Sequence, residues 1–97
     1  MPEVKMQQLS KEDAIKTASD RSTGVMTLDE LSRHQDRDVR EAVAGNTSAA
    51  ISPTIDRLRW DTDPKVRAAA ERTTQEKVKA WLREYDERRK AETVQQP

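Results

Sequence analysis

The side chains whose types could do chemistry lie mostly in one short string, His34-Gln35-Asp36-Arg37-Asp38. An imidazole and two carboxylates at alternate positions are ligand types that divalent cations accept, so the string could form an oxygen-rich metal site. Asp is also a favoured residue at helix N-termini, which gives the string a purely structural reading. Twenty-seven residues later the same positions hold Asp61, Asp63 and Lys65, so neither the His nor the third ligand recurs. We therefore expect loop and capping roles here, with no metal ion or other cofactor.

The sequence offers little that could form a catalytic arrangement. His34 is the only histidine, the chain has no Cys, and its two Gly are isolated. A single His beside capping carboxylates supports no Ser–His–Asp constellation, and two separate Gly make no phosphate-binding loop. Without Cys, disulfides and thiolate metal sites are also excluded. We predict that the protein is not an enzyme.

Trp and Arg side chains remain as candidates for binding a partner, because these residues dominate interface hot spots. Trp60 lies off the helical stripe that Ile55 and Leu58 form, so it is either a partner anchor or a cover over a junction within the fold. The Arg side chains either face an acidic partner or pair with carboxylates at helix N-termini, as in the i, i+4 pairs Asp36/Arg40 and Asp63/Arg67. The hypothetical partner-binding set is Trp60, Arg57, Arg59, Arg40, Arg67 and Arg33.

These candidates belong to a segment that occurs twice, 27 residues apart. Aligning positions 28–54 with 55–81 gives seven identities, among them Asp36/Asp63, Val39/Val66 and Arg40/Arg67. A fixed period of this size is typical of stacked supersecondary units, in which each unit buries its apolar face against the next. We therefore expect Val39 and Val66 to be buried at equivalent places. Repeat architectures of this kind mostly bind other macromolecules.

Capping residues and apolar periodicity predict an all-α chain of about five to six helices. The expected starts are Ser10, Thr27, Asp36 or Asp38, Ser52-Pro53, Asp63-Pro64 and Thr73, with a stop at Gly45-Asn46. Trp81 shares a stripe with Val78, Leu82 and Tyr85, and we expect it in the core. The predicted organisation is a flexible N-terminus over 1–9, one helical-repeat domain over 10–92 and a flexible tail over 93–97. Repeat units are expected at about 28–54 and 55–81, with capping helices at about 10–19 and 74–92.

The phrase Asp63-Pro-Lys-Val-Arg-Ala-Ala-Ala70, with its counterpart Asp36–Val43, resembles HEAT-like helical repeats. It looks closest to the bacterial variant leucine-rich repeat, whose units carry Asp-Pro-x-Val-Arg followed by Ala-Val-Ala and Asn. Ala42-Val-Ala-Gly-Asn46 matches that tail, whereas the second copy departs from it at 69–73. The resemblance covers roughly 25–82 and implies a short right-handed superhelical stack of helix pairs that serves as a binding scaffold. The iron–sulfur cluster of some variant leucine-rich proteins needs Cys, so it does not carry over.

The amino-acid composition limits the size of the core and the classes of partner that the protein could bind. Charged residues make up 37% of the 97 residues and apolar ones 33%, with no Phe, against about 25% and 45–50% in a typical domain. The core must therefore be thin, which favours stabilisation by a partner or by self-association. Eighteen basic and 18 acidic residues cancel, which disfavours a nucleic-acid or membrane surface. There is no apolar run long enough for a bilayer and no signal-peptide core, so we expect a cytoplasmic protein.

The sequence thus predicts a non-catalytic protein–protein interaction module, a small adaptor or inhibitor-type binder that binds a protein partner or forms a homodimer. The alternative is a helical-repeat protein that binds nucleic acid through Arg-rich helix faces. Eleven Arg against seven Lys, and clusters such as Arg88-Arg-Lys90, keep that alternative open.

Overall fold

The computed structural model describes residues 9–50 and 52–95, and this part of the chain is all-α, with no strand. Its five α-helices are α1 (Lys11–Ser19), α2 (Val25–Leu31), α3 (Arg37–Ala44), α4 (Pro53–Leu58) and α5 (Pro64–Gln95). A single turn of 3₁₀ helix, Thr47–Ala49, lies between α3 and α4. The all-α prediction is confirmed.

Four helices begin where the sequence predicts, because a side-chain oxygen accepts a backbone N–H that has no partner within the helix. The caps are Ser10 Oγ on Asp13 N (3.2 Å), Asp36 Oδ1 on Asp38 N (2.9 Å), Ser52 Oγ on Ile55 N (3.3 Å) and Asp63 Oδ1 on Lys65 N (2.8 Å). Pro53 and Pro64 follow their caps as the first helical residues, where a missing N–H costs nothing. Gly45 ends α3, as predicted.

Two predicted helix starts are wrong. α2 begins at Val25 after Gly24, so Thr27 lies within the helix rather than at its cap. α5 is one helix from Pro64 through Gln95, so there is no separate helix over 74–92. Thr73 does not cap, because its hydroxyl donates to the carbonyl of Ala44. No Gly or Pro interrupts the sequence from 65 to 96, so the helix has no residue that would end it there.

The predicted flexible ends lie mostly outside the described residues. The residues outside the described part are 1–8 of the predicted N-terminal segment and 96–97 of the predicted tail. The part of the tail that is described, 93–95, is helical and continues α5. The flexibility of the tail stays a prediction.

α3 is the central helix, since it packs most extensively against α1 and α5 and to a lesser degree against α2 and α4. Its neighbours α1 and α5 contribute mainly Ala to the interface, which lets the helices approach closely. The largest fully buried side chains are Leu28, Leu31, Val39, Val43, Ile55, Leu58 and Val66. Val39 and Val66 are thus both in the core, and the core is the thin Leu/Ile/Val/Ala one expected from composition.

The second half of α5 projects from this core. Among the α5 side chains whose burial is described, which end at Ala91, the last buried one is Thr73. From Gln75 to Ala91 all side chains but that of Ala80 are exposed. The projecting part, from Gln75 to Gln95, is about 30 Å long at about 1.5 Å per residue. The molecule measures 64 × 33 × 19 Å, and its radius of gyration is 16.9 Å, against about 12.5 Å for a compact chain of this length. Among the described helices, α5 included, none is both long and apolar enough to cross a membrane.

Candidate functional site: an apolar stripe on the projecting helix

Four large apolar side chains lie along one side of the projecting half of α5. Val78 is 39% exposed, Trp81 58%, Leu82 46% and Tyr85 46%. Their spacing of i, i+3, i+4 and i+7 places them on one helix face, so they form a continuous strip, which we call the α5 stripe. Large exposed apolar patches on proteins that are not membrane-embedded mark interaction sites.

The aromatic rings of the α5 stripe are ordered by contacts within the helix. Trp81 and Tyr85, one turn apart, stack with ring centroids 5.7 Å apart and planes 18° apart. The guanidinium of Arg89 lies 5.9 Å from the centroid of the Tyr85 ring, within cation–π range. Side chains held in this way would lose less conformational entropy on being buried at an interface.

The α5 stripe is not a continuation of the buried face of the same helix. At about 100° per residue, its centre lies about 120° around the helix from the centre of the buried set Val66, Ala69, Ala70 and Thr73. The interpretation of Trp81 as a core residue is therefore wrong. The periodicity of the apolar residues correctly predicts an amphipathic helix. However, the apolar set that begins at Val78 is rotated by about 120° around the helix from the set that begins at Val66, and this rotation can be read from the sequence.

Trp60 is the most exposed aromatic side chain of the described chain, at 85%. The interpretation that it covers a junction in the fold is therefore wrong, while its role as a partner anchor stays a prediction. Nε of the preceding Arg59 donates to Oε2 of Glu71 at 2.9 Å. Glu71 lies within about 30° of the stripe centre and about 10 Å before Val78 along the helix. The turn that carries Trp60 is thus near the base of the α5 stripe.

Four of the five candidate arginines pair with carboxylates of this chain: Arg33, Arg57, Arg59 and Arg40. Arg33 and Arg57 both pair with Asp29, at 3.5 and 3.3 Å, and Arg57 also donates to the Ser32 hydroxyl. Arg59 pairs with Glu71, as described above. The pKa of Asp29 lies below its usual value because the Thr54 hydroxyl and then Arg57 donate to its carboxylate. Arg57 therefore joins α4 to α2, and Arg59 joins the end of α4 to α5.

Arg40 and Arg67 make the same backbone contact in the two repeated segments. Nη1 of each donates to the carbonyl six residues earlier, Arg40 to His34 at 2.8 Å and Arg67 to Asp61 at 2.7 Å. Arg40 also forms a two-pronged ion pair with the Asp61 carboxylate, at 2.9 and 3.3 Å, and only 16% of its side chain is exposed. Arg40 therefore ties α3 to the loop before α5.

The predicted i, i+4 pairs between the capping Asp and the following Arg are replaced by pairs between helices. Asp36 pairs with Lys11 at 3.5 Å, and Asp63 pairs with Arg37 at 3.2 Å. One carboxylate oxygen of each Asp is already occupied by the helix N–H groups, which leaves the other for a neighbouring helix. These contacts join α1 to α3 and α3 to α5.

His34 and Asp61 occupy equivalent positions of the two repeated segments and have the same structural role. His34 Nδ1 accepts the N–H of Asp36 at 3.0 Å, and Asp61 Oδ1 accepts the N–H of Asp63 at 2.9 Å. The carboxylate of Asp38, the third member of the string, pairs with Lys11 at 2.7 Å. Across residues 9–50 and 52–95 no three His, Cys, Asp or Glu side chains come together as metal ligands would.

A shallow apolar groove of about 310 Å³ lies between the starts of α2 and α4. It is lined by Val25, Met26, Asp29, Pro53 and Thr54. Met26 is 88% exposed and Val25 63%. The groove carries no cluster of titratable groups aimed into it, and Asp29 is already saturated by Thr54 and Arg57.

Acid is expected to destabilise the fold through the pairs between helices. The pKa of Asp38 is lowered by Lys11, and that of Asp63 by the Lys65 N–H and then Arg37. A carboxylate with a lowered folded pKa stabilises above its ordinary value of 3.8, and that contribution is lost as the pH falls through the folded pKa. The urea midpoint should therefore fall between pH 5 and pH 3, at about constant ionic strength. The urea midpoint should fall less in Lys11→Met than in the unchanged chain. A midpoint of the unchanged chain that stays the same at pH 3 would contradict this prediction.

Comparison with known proteins assigns no family. No family model, no curated protein and no solved structure matches the chain. The likeness to HEAT-like and variant leucine-rich repeats therefore rests on the repeated residues alone.

Proposed function

We propose that the chain is a non-catalytic protein–protein interaction module that binds its partner through the α5 stripe. The observation that carries this proposal is the exposure of Val78, Trp81, Leu82 and Tyr85 on a helix that projects about 30 Å from the core. Trp and Tyr are enriched at interface hot spots, and an amphipathic helix that lays its apolar side on another protein is a common mode of recognition. Charged residues on both edges of the stripe would form the polar rim of such an interface.

We also propose that the body which presents this helix is a short helical-repeat stack, as the resemblance implies, with the right-handed superhelical arrangement of that class. Residues at equivalent positions of the two repeated segments make similar contacts, which supports this proposal. Asn46 donates to the carbonyl of Ala18 on α1, and its sister Thr73 donates to the carbonyl of Ala44 on α3. In such a stack α1, α3 and α5 would be equivalent helices of successive units. The role would be that of a small adaptor or inhibitor-type binder in the cytoplasm.

The nucleic-acid alternative has less support. The five arginines of the candidate binding set each donate to an acceptor of this chain, and Arg40 is mostly buried. Phosphate contacts would show as binding that weakens steeply with salt. We expect no retardation of DNA or RNA in a gel at low salt, and a salt-sensitive shift would favour the alternative.

A pair of adjacent substitutions tests the α5 stripe. Leu82→Glu places a charge in the middle of the stripe, whereas Arg83→Glu places one on the opposite side of the helix. Cross-linked complexes captured from extract of the source cells should fall at least about tenfold with Leu82→Glu, the loss expected for about 1.4 kcal/mol at a hot spot. Arg83→Glu should capture as much as the unchanged chain.

The helix content of both variants should match that of the unchanged chain by circular dichroism, because both side chains are exposed. Equal capture by Leu82→Glu and the unchanged chain would contradict the proposal.

A further inference from the structure

The charges along the two edges of the α5 stripe indicate what it binds. At about 100° per residue, Lys77 and Glu84 lie on one edge of the stripe, and Lys79 and Asp86 lie on the other. All four side chains are exposed. On each edge the Lys precedes the acidic residue by seven positions, so the first half of the stripe is flanked by positive charge and the second half by negative charge.

We infer that the α5 stripe binds a second copy of this chain, with the two α5 helices antiparallel and a two-fold axis between Trp81 and Leu82. This inference rests on the proposed function and names the partner of the same surface. A two-fold dimer uses the same patch on both copies, so the patch must be complementary to itself.

The α5 stripe meets that requirement in the antiparallel orientation. With the axis between Trp81 and Leu82, Trp81 lies opposite Leu82 of the other copy, and Val78 lies opposite Tyr85. On one edge Lys77 of each copy meets Glu84 of the other, and on the second edge Lys79 meets Asp86. In a parallel pair Lys77 of one copy would face Lys79 of the other, and Glu84 would face Asp86, so like charges would repel.

The length of the projecting helix also fits this arrangement. Thr73, the last buried residue of α5, lies about 13 Å from the axis, so the two bodies are separated by about 25 Å along the paired helices. The far end of each helix then reaches the level of Glu71 in the other copy, near the turn that carries the exposed Trp60. That contact would bury a side chain that the single chain leaves in solvent.

The pairing is short. The positions that would continue a heptad seam beyond Val78 and Tyr85 are Thr74 and Arg88, which do not extend the apolar strip. A sustained coiled coil needs at least about three heptads, and this stripe has fewer than two. We therefore expect a dimer that dissociates in the micromolar range.

Sedimentation equilibrium over about 5–500 µM tests the inference with matched charge variants of the full chain. The unchanged chain should pass from monomer to dimer across this range. Lys77→Glu/Lys79→Glu should weaken the dimer at least about tenfold, because the reversed charges face Glu84 and Asp86. Adding Glu84→Lys/Asp86→Lys to that variant should restore dimerisation to within about threefold. Arg83→Glu/Lys90→Glu changes the net charge equally on the opposite side of the helix and should leave the dimer unchanged.

Engineered cysteines test the orientation, since the chain has none of its own. Leu82→Cys lies at the axis and should form a disulfide with the same residue of the second copy under mild oxidation. Thr74→Cys should not, because the two copies of this position would be about 22 Å apart in the antiparallel pair. A disulfide at position 74, or failure of the fourfold charge reversal to restore the dimer, would overturn the antiparallel arrangement.

A chain that stays monomeric at 500 µM would overturn self-association at about micromolar strength. Together with capture of another protein that Leu82→Glu abolishes, that result would leave the proposed function standing. If neither self-association nor stripe-dependent capture is found, the proposed function fails as well.

Discussion

Replacing Asn46 by Ala is expected to lower the free energy of unfolding by about 3 kcal/mol, a large part of the stability of a small domain. Only 4% of this residue is exposed. Its Nδ2 donates to the carbonyls of Ala18 and Asp20, at 2.8 and 2.9 Å, and its Oδ1 accepts the N–H of Ser48 at 2.9 Å. Ala would leave all three backbone groups without this partner, and the cost of unpaired buried polar groups exceeds the net value of the hydrogen bonds themselves.

Urea denaturation followed by circular dichroism measures this loss, with Ser48→Ala as the matched control. The Ser48 hydroxyl donates one exposed bond, to the carbonyl of Arg21, so its removal should cost less than about 1 kcal/mol. A loss in Asn46→Ala no larger than in Ser48→Ala would show that the end of α1 is not held through this side chain.

Local features of this fold were predictable because their causes lie within a few residues. The caps at Ser10, Asp36, Ser52 and Asp63 need only an oxygen placed two or three residues before a free N–H. Asn46 shows the limit of such reasoning. The stop at Gly45-Asn46 is readable from the sequence, but the carbonyls that Asn46 holds belong to residues 26 and 28 positions away.

The candidate site was predicted less well than the fold, and the reason is physical. The spacing of Val78, Trp81, Leu82 and Tyr85 identifies an apolar helix face, but spacing alone cannot distinguish a face buried in the chain from one buried by a partner. The distinction depends on whether another element reaches that face. The core ends at Thr73, and the α5 stripe begins five residues later, at Val78, on a different side of the helix.

The sequence predicts that the capping Asp side chains form ion pairs, but it does not predict which cations they pair with. Asp36 and Asp63 were expected to bind the Arg four residues later, and each instead pairs with a cation on another helix. Helix packing explains this result, because it places Asp36 beside α1 and Asp63 beside α3. The sequence supplies the charges, while the packing of α1, α3 and α5 selects the pairs.

Replacing Arg40 by Ala is expected to lower the free energy of unfolding by about 2–3 kcal/mol, whereas Arg67→Ala should cost less than about 1 kcal/mol. Both arginines donate to a carbonyl six residues earlier, but Arg40 also pairs with Asp61, whose side chain is only 11% exposed. Removing Arg40 leaves that mostly buried carboxylate without its ion-pair partner. Thermal or urea unfolding of the two variants, side by side, measures the difference.

The comparison of Arg40→Ala with Arg67→Ala also tests whether Arg40 stabilises the fold or binds a partner. If Arg40→Ala is strongly destabilised and Arg67→Ala is not, the buried guanidinium belongs to the fold, and partner binding must use the α5 stripe or the exposed Trp60. If Arg40→Ala instead unfolds as the unchanged chain does, while losing about tenfold in partner binding, then Arg40 is displayed to the partner as the sequence first suggested. The two outcomes differ by more than the error of a denaturation curve, which is about 10–15% of the extrapolated free energy.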